Sequence, residues 1–84
     1  IVCCLIDDKF LQFSFDQGND LITPRPELNF PGLKNGDSWC VCALRWKEAY
    51  ENGCAPKIYL RRTNKKVLKL VDLNILKEFA LDLE

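Results

Sequence analysis

Apolar positions along this chain fall into stretches of different period, and the period predicts the element. Residues 1–6, "IVCCLI", form a continuous apolar run rich in β-branched side chains, which predicts a buried strand. "DDKFLQFSFDQG" follows, with Asp7 or Asp8 placed to cap a helix and Gly18 placed to end it. Phe10, Leu11, Ser14 and, less squarely, Phe15 mark the inner side of that helix, whereas Phe13 fits the face poorly. In "DSWCVCALRWKEAYENG", Trp39, Cys42, Ala43, Trp46, Ala49 and Tyr50 recur at helical spacing between an N-cap at Asp37 and a C-cap at Gly53. A competing reading makes "SWCVC" a short strand and starts the helix near Ala43. On a strand Cys40 and Cys42 share a face; on a helix they diverge by roughly 200°. The period favours the helix, with both tryptophans in the core. Beyond Pro56, "KIYLR" predicts a strand with Ile58 and Leu60 on one face, and Thr63 is placed to cap a short helical turn through "NKKVLK". Asp72 is placed to cap a last helix whose inner stripe is Leu73, Leu76, Phe79, Ala80 and Leu83.

Between the first two helices lies "GNDLITPRPELNFPGLKNGD", residues 18–37, with three prolines, three glycines and three asparagines. Pro24 and Pro26 bias Thr23 and Arg25 toward extended backbone. Pro31-Gly32 and Asn35-Gly36 are turn signals. The segment nevertheless keeps Leu21, Ile22, Leu28, Phe30 and Leu33. A floppy linker would be polar or Gly/Ser-rich. An ordered, packed loop is therefore expected, with Leu21, Phe30 and Leu33 largely buried. The order β-α-loop-α-β-α gives an α+β fold: residues 1–84 as one small domain, two to three short strands, three helices and a long ordered loop.

Composition narrows the function more than it defines it. Twelve basic and twelve acidic residues cancel, so no global field recruits nucleic acid or an anionic membrane. No apolar run approaches the length of a bilayer span. Methionine is absent and the chain opens directly on an apolar run, which predicts that its natural upstream segment is missing. Five cysteines, an odd number, argue against a closed disulfide framework and for free thiols in a reducing, cytoplasmic setting, with no intramolecular disulfide.

The segment "GNDLITPRPELNFPGLKNGDSWCVCALRW", residues 18–46, resembles a widespread family of small proteins of unknown function, found mainly in bacteria and also in some eukaryotes. The similarity starts at "VC" in the first strand and continues through "KEAYENGCAP" to the last helix. It implies that Cys3, Cys40 and Cys42 stand where the family carries cysteine, and that Cys4 and Cys54 are departures. It also implies an upstream Gly- and Cys-containing segment. It implies no function.

Three sets of residues are candidates for chemistry. Cys3, Cys40 and Cys42 are candidate metal ligands, and with Cys4 they supply four thiolates, the number that holds zinc tetrahedrally. Their adjacent and one-residue spacings depart from the common zinc pattern, and buried cysteine behaves as a small hydrophobe. No cofactor is predicted; zinc is the exception to consider. Were Cys40 in the first turn of a helix, the helix dipole would favour its thiolate, but the chain has no histidine to act as base. The second set is the polar loop: Asn19, Asp20, Thr23, Arg25, Glu27 and Asp37 beside Trp39. Arg25, held between two prolines, is placed to take a carboxylate or phosphate bidentately. Against this, Asn19, Asp20 and Thr23 are residue types that satisfy a loop's own backbone. The third set is the basic cluster Arg61, Arg62, Lys65, Lys66 and Lys69, which with only Tyr59 nearby predicts a solvated face rather than a nucleic-acid surface.

The sequence thus favours a small non-enzymatic domain with a polar loop surface, residues 18–39, that binds a small anionic ligand or a partner. A metal or redox cysteine site completed upstream of Ile1 is the alternative. A structural or protein-interaction domain that self-associates through an open sheet edge is the third reading.

Overall fold

The computed structural model describes residues 1–83. Its elements are β1 (Val2–Leu5), α1 (Asp8–Asp16), β2 (Ser38–Val41), α2 (Ala43–Glu51) and α3 (Leu73–Phe79), with 3₁₀ turns at Pro26–Leu28, Leu60–Arg62 and Lys65–Lys69. The fold is α+β: three helices around a two-stranded antiparallel ribbon.

The local stop and start signals are met. Asp7 is extended and its carboxylate accepts the Phe10 N–H at 2.8 Å, so it caps α1. Asp72 caps α3 in the same way through Asn74 N–H. Both α1 and α2 end in the same paired arrangement at a left-handed glycine. Gly18 donates to Phe15 and Asn19 to Ser14; Gly53 donates to Tyr50 and Cys54 to Ala49. On α1, Phe10, Leu11 and Ser14 are buried as the pattern predicts. Phe13 packs against the core, while Phe15 is exposed.

The strand–helix boundary near Asp37 differs from the favoured reading. Residues 38–41 are strand, and the helix begins at Ala43. Each residue of β2 faces one of β1: Val2 opposite Val41, Cys3 opposite Cys40, Cys4 opposite Trp39, Leu5 opposite Ser38. That long-range pairing supplies β1 with a partner, and it overrides the helical spacing of Trp39 and Cys42. Asp37 therefore caps no helix. Val2, Cys4, Val41 and Trp39 share one face, and Cys3, Leu5, Cys40 and Ser38 share the other. Cys3 and Cys40 are joined by a disulfide, with Cα atoms 3.8 Å apart. The expectation of five free thiols is thus corrected: register, not spacing in sequence, brings the pair together.

On its other edge β1 is flanked by the extended residues 57–59. Leu5 N–H donates to Lys57 O at 2.9 Å and Tyr59 N–H to Cys3 O at 2.8 Å. "KIYLR" is not a full strand. Ile58 makes single bridges to Cys4 and Ala80, and the chain then turns away. The Asp82 carboxylate takes the Leu60 and Arg61 N–H groups at 2.8 and 2.9 Å, which fixes the 3₁₀ turn. The following turn is capped by Asn64, not Thr63. Thr63 instead accepts from Cys3 N–H and donates to Tyr59 O.

The core gathers Val2, Cys4, Ile6, Phe10, Trp46, Ile58, Val67 and Leu76. Trp46 is fully buried and its indole N–H donates to Pro56 O at 3.2 Å. Its ring stacks on Tyr50 at 5.8 Å and meets the Phe79 ring edge-on at 5.2 Å. On α3, Leu76 is buried and Ile75 and Phe79 pack against the core, but Leu73 and Leu83 are exposed. A seven-residue helix presents too little length for the five-residue stripe expected of it.

Candidate functional site

Residues 18–37 form a closed excursion whose two limbs are hydrogen-bonded to each other. Leu33 N–H donates to Leu21 O at 2.8 Å. Further out, Arg25 and Phe30 exchange both backbone bonds, at 2.7 and 3.0 Å. The tip is the 3₁₀ turn Pro26–Leu28, closed by Asn29 in the left-handed region. Gly32 lies directly against the backbone of the opposite limb. Its φ is +81°, and a Cβ there would overlap the Ile22 carbonyl oxygen, so the approach requires glycine. At the loop's exit, Gly36 N–H donates to Ile6 O and Ile6 N–H to Asp37 O, which docks the turn onto the end of β1. Leu33 is buried as predicted, whereas Leu21 and Phe30 are only half-buried against the core.

Within this frame several polar candidates serve the loop itself. Asn19 belongs to the cap of α1: its N–H donates to Ser14 O, and its carbonyl accepts from the Ser14 hydroxyl at 2.8 Å. Asp20 accepts the Ile22 and Thr23 N–H groups, both at 2.9 Å. The Thr23 hydroxyl, then those amides and the charge of Arg25, hold the Asp20 carboxyl below its usual range. Asp37 accepts Lys34 N–H at 3.0 Å and closes the last turn. Arg25 and Glu27 are exposed. The salt bridge found among the described residues joins Arg45 to Glu48 at 3.5 Å and leaves Arg25 out.

Beside these polar groups the loop also presents apolar side chains outward. Trp39, on β2, is 42% exposed, and its ring stands 5.4 Å from that of Phe30 at 57°. The expectation of a core Trp39 is therefore corrected: only Trp46 is buried. Pro24, Pro26, Asn29, Phe30 and Pro31 line an open concavity of about 390 Å³. Leu28 at the tip is 72% exposed, and Ile22 is exposed as well. β2 adds a backbone feature. Leu5 and Cys3 bond toward residues 57–59, so Val2, Cys4 and Ile6 bond toward β2. Alternation then directs the N–H and C=O groups of Ser38 and Cys40 away from β1, along an open edge. Reading "SWCV" as an edge strand would have exposed this feature in the sequence.

The cysteines separate into distinct environments. Cys3 is buried and Cys40 exposed, and the two are bonded. Cys42 is exposed and free, just past β2, with extended backbone. Cys4 is buried and free; burial, reinforced by the nearby Asp7 charge, pushes its thiol up to about 12. With Cys3 and Cys40 in a disulfide, two of the three candidate ligands are occupied by each other. No cluster of three or more metal-ligating side chains occurs among the described residues.

The basic cluster is exposed, and the Arg62 guanidinium lies 4.8 Å from the Tyr59 ring centroid, covering the one aromatic beside it. No helix among the described residues is long and apolar enough to cross a membrane.

A small α+β domain built around a two-stranded ribbon, with a closed proline-rich loop beside its edge strand, is the class this geometry defines. Residues 1–80 match the family DUF2237, described as an uncharacterised protein conserved in bacteria, and the chain belongs to that family. Comparison with curated proteins gives no match. The family has no established function.

Proposed function

We propose that this domain is a non-enzymatic binding module that takes an extended peptide segment of a partner protein along the free edge of β2. The observation that carries this reading is Trp39, 42% exposed on an edge strand and paired with Phe30 of the hydrogen-bonded loop. An extended segment laid along Ser38–Val41 would find the outward N–H and C=O groups of Ser38 and Cys40. Its side chains would meet the Trp39–Phe30 pair and the prolines beyond it. Tryptophan on a pre-ordered frame contributes large contact area at little entropic cost. Arg25, exposed next to this surface, is available for a carboxylate on the same segment. The anionic group of the sequence reading thus becomes part of a partner rather than a separate small ligand. A second copy of this chain, offering its own β2 edge, is the simplest competitor. Three unbonded cysteines, one of them exposed, accord with a cytoplasmic setting.

Selection from a random peptide library against the immobilised domain, followed by NMR titration, tests the reading. Shifts confined to residues 22–41, and lost in Trp39→Ala, are expected. Shifts centred instead on the separate groove lined by Leu60, Thr63, Leu68, Leu73 and Leu76 would refute it. Dilution-dependent relaxation of the β2 amides without added peptide would favour self-association.

A further inference from the structure

The disulfide and the unequal burial of its two cysteines carry a separate inference, independent of the partner-binding reading. Cys3 is 6% exposed and held beneath residues 59–63. Its N–H donates to Thr63 Oγ1 at 3.3 Å, its carbonyl accepts Tyr59 N–H at 2.8 Å, and its Sγ lies 3.2 Å from the Arg62 carbonyl oxygen. Cys40, directly opposite on the edge strand, is exposed. An incoming thiolate must approach one sulfur along the S–S axis, and Cys40 is the exposed residue of the pair. The ribbon does not depend on the bond for its register. The pairs Val2–Val41 and Cys4–Trp39 are hydrogen-bonded on either side of it, as the alternation of the ladder requires. The other side of the exchange is also prepared: a Cys3 thiol released in place has the Arg62 carbonyl within reach as an acceptor.

We propose that Cys40 is a thiol–disulfide exchange site for low-molecular-weight thiols of the glutathione class. The thiolate of one such molecule attacks Cys40 Sγ. The new S–S bond forms to Cys40, the Cys3–Cys40 bond breaks, and its electron pair leaves with Cys3 as thiolate, which takes a proton from water. A second small thiolate then attacks the sulfur of the adduct that came from the first. This releases Cys40 as thiolate, which in turn takes a proton from water, and the small thiol as its symmetric disulfide. The chain gains two electrons and two protons, and two small thiols are oxidised. The reverse sequence, with the oxidised small thiol as oxidant, passes through the same adduct on Cys40. Exposed disulfides of this kind are the labile ones, whereas structural disulfides resist the glutathione pool.

The test uses the oxidised protein with Cys42→Ser and Cys54→Ser, so that Cys3, Cys40 and the buried Cys4 are its only sulfurs. It is treated with millimolar reduced glutathione without denaturant, quenched with acid, alkylated and mapped by peptide mass spectrometry. The expected result is loss of the Cys3–Cys40 cross-link, a glutathione adduct on the Cys40 peptide, alkylation located on Cys3 itself by fragmentation of the peptide it shares with Cys4, and an unchanged far-ultraviolet spectrum. In a Cys3→Ser variant, oxidised glutathione should load Cys40 directly. An adduct on Cys3, a cross-link that yields only after denaturation, or a folded Cys3→Ser protein whose Cys40 resists oxidised glutathione each overturns the proposal. So does oxidised protein in which Cys3 and Cys40 are not linked.

Discussion

Replacing Gly32 by alanine tests whether the loop is a rigid frame or a loose cover. The new Cβ would overlap the Ile22 carbonyl oxygen and lie 3.2 Å from the Ile22 carbonyl carbon and 3.5 Å from Pro24 N. All of these are backbone atoms, so no side-chain rotation relieves the overlap. Holding a residue with a Cβ at φ +81° costs about 1–2 kcal/mol. Separating the limbs to make room breaks the Leu33–Leu21 bond, which contributes about 0.5–1.5 kcal/mol. Fewer conformations of the unfolded chain return about 0.4–1 kcal/mol. The net expectation is destabilisation by about 1–2.5 kcal/mol. Gly36→Ala is the internal control, because Gly36 has φ +95° but no atom within 4 Å of its would-be Cβ. It carries the strain without the overlap. Urea unfolding followed by far-ultraviolet circular dichroism gives both free energies, and amide exchange at Leu33 reports the limb bond. If Gly32→Ala is no more damaging than Gly36→Ala, and Leu33 keeps its protection, the limbs are not locked together. The rigid frame beneath Trp39 and Phe30 then loses its basis.

The packing sets further outcomes for Trp46, Arg25 and Cys4. Trp46→Ala removes a fully buried ring and leaves the Pro56 carbonyl without its donor, a loss of about 3–5 kcal/mol. An 84-residue domain has only about 4–13 kcal/mol in total. Equilibrium unfolding should find that variant largely unfolded or close to it, while Arg25→Ala, at an exposed site, stays within about 0.5 kcal/mol of the parent. Cys4 should resist alkylation in the native state at pH 8 while Cys42 reacts, as mass mapping will read. Because the folded thiol is raised to about 12 from an ordinary 9.0, its contribution to stability is full below about pH 9 and falls as the pH climbs toward 12.

How much was legible in the sequence follows from how local each signal is. Asp7, Asp72, Gly18 and Gly53 act within a turn of their own position, and each was placed correctly. The helix–strand choice at residues 38–41 was not local. Trp39 and Cys42 carry a helical spacing, but what decides the conformation is that β1 lies alongside and needs a partner. The disulfide was hidden for the same reason. An odd cysteine count speaks about the whole set, whereas bonding Cys3 to Cys40 requires only that two residues face each other across a ladder. Thr63 and Asn64 show the complementary error: both side chains cap something, but the tertiary approach of Cys3 draws Thr63 away and leaves the turn to Asn64.

The loop shows why the polar candidates looked more functional than their geometry makes them. A segment with three prolines forgoes three backbone donors and cannot satisfy its remaining ones by regular structure. Side chains must do so, and Asp20 and Asp37 take amides of their own turns. The same residue types would be chosen for a ligand site, so composition alone does not separate the two roles. What self-satisfaction cannot account for is apolar surface left in water on a frame that is already ordered. Leu28, Ile22 and Trp39 are that surplus, and Trp39 is the one among them seated on a strand whose outer edge remains open. The proposed peptide surface therefore rests on the residues a packed loop would be expected to hide, and on the loop's position beside the ribbon, rather than on its charges.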